Sequence, residues 1–426
     1  MEQKFEEFLK GLNIKYTLKK NSIIFFNIHN GNIFEINKEL LNEFIEVYIL
    51  NSKVLSKEHR KIKELFENEN LPIGKDVDKV PFHIQWHIND TCNLRCKHCY
   101  VDKYSNNGLS LKYLKKIVDD YFKAIKKWGF YPEFSITGGE PLLNKNLFPL
   151  LTYIKQKDKN TRMAILTNGI LINKKSIVQF KKIGINLVQV SLEGSNKFIN
   201  DKIRGKGTFD KIIKSLELLK KNKIKTSLHF VISKINYKDV YPYILLAKKL
   251  NIDMLTFSNL VPFGTGKQME KLVLSPQELK KVYLNIDNIA KKLDKKNQLP
   301  YIRRTRPLWC NFETVNPQRP VGGVCPVAFN TLTILSDGKV MPCRRLPLIV
   351  GDLKKQNFFE IWYTSKVLSN LRDRKKLKAC GKCKYLRKCA GCRGLAYVYY
   401  HDYMGPDPQC WLVNKNLGDN AKIKKT

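Results

Sequence analysis

A chain of 426 residues exceeds one small module and calls for two or three domains at roughly 100–200 residues each. Hydrophobic residues at 43% and charged residues at 27% supply real cores and exclude a disordered chain. Lys and Arg number 77 against 38 Asp and Glu, a formal charge of +39, and there are 11 cysteines.

Met1–Lys10 lack an apolar stretch, so no secretory signal is expected. The longest uncharged run, Pro320–Ser336, is broken by Pro, Gly, Asn and Thr and does not read as a membrane span. A cytoplasmic protein is expected, and its cysteines then point to metal or redox chemistry rather than a disulfide framework. Lysine is spread along the whole chain without a long basic block. The charge therefore reads as composition more than as a nucleic-acid footprint, although it still attracts acidic partners.

Residues 1–75 read as a small α+β, winged-helix-like unit. Ile14–Leu18, Ile23–Ile28 and Ile33–Ile36 are strand-like, with an Asn-Gly turn between the last two. Helical patterns follow over Glu39–Leu50 and Lys57–Asn68, and Leu71–Gly74 reads as a linker. From 80 to 300, apolar runs at 82–88, 133–137, 163–167, 186–192, 226–232 and 254–260 alternate with amphipathic helices near 110–128, 145–157, 174–183, 209–222, 237–250 and 275–296. Six strand–helix repeats predict an α/β fold, a partial (β/α)6 TIM-like barrel with its chemistry at the C-terminal strand ends. Residues 301–426 hold eight cysteines and read as loop-rich, with one hairpin over Thr331–Met341. Such a region needs cross-links or metals to hold it.

The first barrel strand runs straight into Cys92-Asn93-Leu94-Arg95-Cys96-Lys97-His98-Cys99. Three thiolates on one loop suit three irons of a cubane cluster and leave the fourth iron open. A zinc site completed by His87 or His98 is the alternative. Gly138-Gly139-Glu140-Pro141 ends the second strand, Thr167-Asn168-Gly169 the third and Ser191-Leu192-Glu193-Gly194 the fourth, followed by Arg204-Gly205 and Gly207-Thr208-Phe209.

A Cx3Cx2C loop followed by these strand ends resembles the radical S-adenosylmethionine (radical SAM) superfamily. The resemblance implies that Cys92, Cys96 and Cys99 hold a SAM-cleaving 4Fe-4S cluster. The Gly138-Gly139-Glu140 segment would take the SAM amino group through backbone and carboxylate. Thr167, Asn168, Ser191 and Glu193 would line the cofactor site, with Ser191 and Glu193 on ribose or the methionine carboxylate and Arg204 pairing with that carboxylate. His98 would lie near adenine, and Tyr100 would be a further cofactor contact. Reductive cleavage of SAM to a 5′-deoxyadenosyl radical, which then takes a hydrogen atom from an unactivated carbon, is the chemistry implied.

Gly338-x4-Cys343 and Cys380-x2-Cys383-x5-Cys389-x2-Cys392, followed by Cys410, resemble the SPASM extension of radical SAM enzymes. The spacing of two before Cys392 departs from the three often seen there. The resemblance implies two auxiliary 4Fe-4S clusters, one on Cys325, Cys343 and Cys392, the other on Cys380, Cys383, Cys389 and Cys410. Cys310 is either the fourth ligand of the first cluster or a bystander that leaves it open. Zinc is again the alternative, although a five-residue gap is short for a zinc ribbon.

Three clusters plus SAM are thus expected, together with a low-potential donor such as ferredoxin or flavodoxin. The N-terminal unit resembles the precursor-recognition domain of peptide maturases, where a leader peptide adds a strand to a sheet edge; a plain packing cap on the barrel is the alternative. The leading expectation is a maturase that cross-links or otherwise modifies a ribosomally made peptide. Modification of tetrapyrrole side chains is the second. A basic iron–sulfur nucleic-acid binder is the third, disfavoured by the barrel motifs.

Overall fold

The computed structural model describes residues 14–18, 22–27, 33–37, 39, 80–105, 107–305, 307–323 and 325–412. The expected helices of the N-terminal unit, its Asn-Gly turn and the Leu71–Gly74 linker lie outside these residues, Glu39 apart. Its three strands are described: β1 (Ile14–Leu18), β2 (Ser22–Asn27) and β3 (Ile33–Asn37) form an antiparallel sheet in the order β1-β2-β3. Among its described side chains Ile23, Phe25 and Ile36 are buried.

The second sheet is the expected barrel. Its strands are β4 (Pro81–His87), β5 (Tyr131–Thr137), β6 (Arg162–Thr167), β7 (Leu187–Ser191), β8 (Thr226–Ile232) and β9 (Met254–Asn259), each parallel to the next. The helices between them are α1 (Leu111–Trp128), α2 (Leu147–Lys157), α3 (Lys174–Ile183), α4 (Lys197–Arg204), α5 (Thr208–Lys221) and α6 (Val240–Lys249), and α7 (Pro276–Lys295) follows β9. Capping side chains mark several helix starts: Ser110 on Tyr113 N, Asn173 on Ser176 N, and Ser275 with Glu278 in a capping box. Residues of one strand face bury Phe82, Ile84 and Trp86 against the helices. The alternate face turns polar side chains inward: His83 bonds Ser135 Oγ at 2.8 Å, and His229 meets Ser258 Oγ at 2.6 Å.

The sheet runs beyond six strands. A short β10 (Tyr301–Arg303) pairs parallel with β9, and β11 (Thr331–Ile334) pairs parallel with β4 at the other edge. β11, β12 (Lys339–Met341) and β13 (Gly351–Asp352) are antiparallel, which gives ten strands in all. The expected hairpin is therefore also the barrel's added edge. The C-terminal region is less loop-rich than expected. It contains α8 (Phe358–Thr364), α9 (Lys366–Arg372) and α10 (Arg393–Tyr400). These run seven or eight residues, too short for a 3.6-residue period to stand out. Their start signals are nonetheless present, Asn357 with Glu360 and then Ser365. Among the described residues no helix is long and apolar enough to cross a membrane.

Candidate active site

The C-terminal ends of β4 to β9 surround a cavity of about 140 Å³. Cys92, Cys96 and Cys99 reach it from the loop after β4, and each is half-buried. The loop is tied to its surroundings by backbone bonds. Lys97 N donates to Ile203 O at 2.9 Å, Gly266 N to Cys99 O at 2.7 Å, and Glu140 N to Thr91 O at 2.8 Å. The two glycines after β5 are required here. A Cβ on Gly138 would stand 2.4 Å from Asn89 O, and one on Gly139 would stand 2.3 Å from Asp90 O and Thr91 O. Their close approach is thus to the start of the cysteine loop itself.

The sulfurs face donors. Leu94 N and Val101 N lie 3.4 Å from Cys92 Sγ and Cys99 Sγ, Asn168 Nδ2 lies 3.8 Å from Cys92 Sγ, and Arg204 Nη1 lies 3.8 Å from Cys96 Sγ. Burial raises the Cys96 thiol to about 11 while the Arg204 charge opposes it, and burial also pushes Cys92 up. Such donors suit thiolates that carry charge on a metal cluster, so the residues fit an iron–sulfur group. Among the described residues no three His, Cys, Asp or Glu side chains stand close enough together to hold a single metal ion.

Glu193 and Glu140 correct the residue-level expectations. Glu193 is fully enclosed and does not line the cavity. Its Oε1 takes Arg204 Nη2 at 2.9 Å and lies 3.3 Å from His98 Nε2, while Oε2 takes Val231 N at 2.7 Å. In this structure it holds Arg204 and His98 in place. Glu140 is equally enclosed, with Oε1 accepting from Leu142 N and Thr167 Oγ1 and Oε2 from Asn168 N. Its carboxylate staples the end of β5 to the end of β6. The backbone of Gly138 and Gly139 lines the cavity in its place.

The remaining expected contacts do reach the cavity: Ser191, Thr167, Asn168, His98, Tyr100 and Arg204. Burial depresses His98 to about 4, so its ring is neutral near pH 7. With Nε2–H directed at Glu193, Nδ1 is an acceptor, and it is a buried atom without a hydrogen-bond partner, as is Arg204 Nε. Orphaned polar atoms at a cavity wall fit a polar ligand such as SAM. The glycines after Arg204 do a different task. Asp201 gathers Gly207 N at 2.6 Å, Phe209 N at 2.9 Å and Thr208 Oγ1 at 3.0 Å, so that stretch is a turn and Arg204 alone reaches the site.

Other lining residues escaped the sequence reading: Gln189, His229, Asn259, Phe263, Arg344 and Arg345. The strand residues among them carried a signal, the inward alternation at strand ends. Gly264 and Gly266 pack over the cysteine loop, where a Cβ on Gly264 would stand 2.3 Å from Tyr100 O. Arg344 and Arg345 follow Cys343 with no periodicity to mark them.

The C-terminal cysteines fall into two groups. Cys325, Cys343 and Cys392 lie within electrostatic reach of one another. Cys380, Cys383, Cys389 and Cys410 belong to a second group, and Cys310 stands with them, bonded to Cys389. That hydrogen bond holds the Cys389 thiol below its usual range. Cys310 thus stands beside the Cys389 group. Donors again face sulfur: Gly391 N lies 3.3 Å from Cys389 Sγ, Arg345 N 3.4 Å from Cys343 Sγ, and Arg393 Nη2 3.7 Å from Cys380 Sγ.

Comparison with known proteins agrees with this architecture. The radical SAM superfamily model matches residues 86–247, and the iron-sulfur cluster-binding SPASM domain matches 325–392. An AdoMet-dependent heme synthase of Methanosarcina barkeri is 28% identical over 78% of this chain and 97% of its own length. The mycofactocin maturase MftC of Mycolicibacterium smegmatis is 24% identical over 78% of this chain and 83% of its own. The crystal structure of Streptococcus suis SuiB bound to precursor peptide SuiA superposes with a TM-score of 0.61 at 18% identity, covering 94% of this chain and 97% of that one. The three-cysteine loop at the mouth of a parallel barrel, the thiol-rich C-terminal region and these matches together make the chain a radical SAM enzyme with a SPASM domain.

Proposed function

We propose that this enzyme modifies a ribosomally made precursor peptide by removing a hydrogen atom from an unactivated carbon and installing a cross-link or another modification. SAM held at a cluster on Cys92, Cys96 and Cys99 supplies the 5′-deoxyadenosyl radical for that chemistry. The chain's own residues orient and enclose it. Backbone at Gly138 and Gly139 takes the amino group, Arg204, fixed by Glu193, takes the carboxylate, and His98 Nδ1 accepts from the adenine end. Two auxiliary clusters, on the Cys325 and Cys389 groups, relay an electron or bind substrate, and a low-potential donor supplies the first one.

The observation that carries the peptide reading is the N-terminal sheet. β1 and β3 are its two edges, each bonded to β2 alone among the described strands, and an edge strand is a template for an extended peptide. The heme synthase is covered almost end to end by 78% of this chain, which leaves about a fifth of the chain without a counterpart. A superposition covering 94% of this chain necessarily reaches into the residues before Val80. The greater identity to heme synthases supports a second reading, modification of tetrapyrrole side chains.

Anaerobic reconstitution with SAM and a reductant tests both. Formation of 5′-deoxyadenosine is expected, together with a mass change in a short peptide encoded beside the gene. Its absence overturns the enzymatic reading. An unchanged peptide beside an altered iron coproporphyrin selects the tetrapyrrole reading instead.

A further inference from the structure

Arg344 has neither the carboxylate nor the backbone-carbonyl partners of the enclosed arginines. Arg204 is paired with Glu193, Arg304 with Asp287 and Asp294, and Arg319 with Asp294. Arg372 and Arg393 spend their guanidinium groups on backbone carbonyls. Among the described residues no carboxylate lies within ion-pair distance of Arg344. Its guanidinium lies 5.0 Å from the centre of the Tyr100 ring and touches Tyr100 Oη only at 3.5 Å. It is half-buried and lines the same cavity as the three cysteines.

The surroundings hold it in place without neutralising it. Tyr100 lies edge-on to His87 at 5.4 Å. His87, depressed to about 3 by burial and then by the Arg344 charge, adds no competing cation. Arg345 beside it is tied to Asn259 O, and a Cβ on Gly394 would stand 2.2 Å from Arg345 O. The segment after Cys343 is thus clamped on one side, with Arg344 left to the cavity. A guanidinium stacked on an aromatic ring presents a planar fork that matches a carboxylate.

We propose that Arg344 is the seat for a carboxylate of the substrate, so that the molecule acted on enters the cavity by an anionic group. This rests on the proposed function in assuming that a substrate shares the cavity with SAM. An acidic side chain of a peptide and a propionate of a tetrapyrrole offer the same chemistry.

The test uses reconstituted holoenzyme with saturating SAM and two probe pairs. One pair is a capped peptide carrying a single Glu against the same peptide carrying Gln. The other is coproporphyrin III against its tetraamide. The acidic member of one pair is expected to bind about ten-fold tighter or more, and the pair that discriminates identifies the source. Arg344→Gln should abolish that preference and Arg344→Lys retain part of it, while an unchanged thermal unfolding midpoint reports an intact fold. Equal binding within both pairs overturns the proposal, as does a preference that survives Arg344→Gln. A preference without SAM cleavage leaves the carboxylate seat standing and removes the reaction, and cleavage without preference does the reverse.

Discussion

Cys92, Cys96 and Cys99 come from eight consecutive residues at one strand end, whereas the C-terminal thiols are gathered from positions as far apart as Cys310 and Cys410. The first three are all half-buried at a cavity wall; of the C-terminal eight, Cys310, Cys380, Cys389 and Cys410 are buried and Cys325, Cys343, Cys383 and Cys392 half-buried. A local loop fixes its ligands by backbone bonds to neighbouring strand ends, and one face stays open for a reacting molecule. A dispersed set must be folded before it can be loaded. Its sulfurs then sit behind arginines and backbone amides, an arrangement suited to passing electrons or holding structure. The local set opens on the cavity, whereas none of the dispersed thiols lines it.

The sharpest break of that contrast is replacement of Cys92, Cys96 or Cys99 by Ala. 5′-Deoxyadenosine, measured by chromatography, should fall to background in each variant, and cleavage in any one of them refutes the cluster assignment. Next is Glu193→Gln. It leaves the enclosed Arg204 without its counter-charge, at a cost of about 3–5 kcal/mol. A lower unfolding midpoint and a raised Kd for SAM are expected; an unchanged Kd would show that Glu193 does not position Arg204 for SAM.

Cys343→Ala and Cys383→Ala should lower product yield more than SAM cleavage, each with loss of bound iron. Equal product yield would remove the auxiliary thiols from the reaction. Cys310→Ser sharpens the grouping: iron bound through Cys325, Cys343 and Cys392 should persist, read by spectroscopy of the reconstituted protein. The smallest effect concerns His83, remote from the cysteines and bonded to Ser135 and Thr331. Burial, then Arg303, lowers it to about 4. Its contribution is fully present above the unfolded value of about 6.5 and is lost as pH falls through 4, at most ~3 kcal/mol. His83→Gln should flatten the denaturation midpoint between those pH values; an unaltered slope excludes His83 as its source.

Much of this was legible in the chain. Short apolar runs and amphipathic helices located six strands and six helices to within a few residues, because burial of the sheet beneath its helices leaves a strong pattern. The cysteine loop and the strand-end motifs marked the cavity because chemistry there depends on residue type. What escaped depends on three-dimensional neighbours. Glu140 and Glu193 look like ligand carboxylates in one dimension, but only the fold shows their oxygens already engaged. The eight-residue α4 and the short C-terminal helices left too few turns to read. Cys310 illustrates the same limit, since sequence order sets it before Cys325 whereas folding sets it on Cys389.

The pairing of β11 with β4 has a consequence for synthesis. Thr331 joins His83 across nearly 250 residues of chain, so the strand that leads into the cysteine loop has a bare outer edge while the rest of the barrel is already made. An unpaired edge invites association between chains. A chain that ends after α7 should therefore aggregate rather than yield a minimal barrel, and the C-terminal region acts on its own N-terminal neighbour as the last plank that closes the hull.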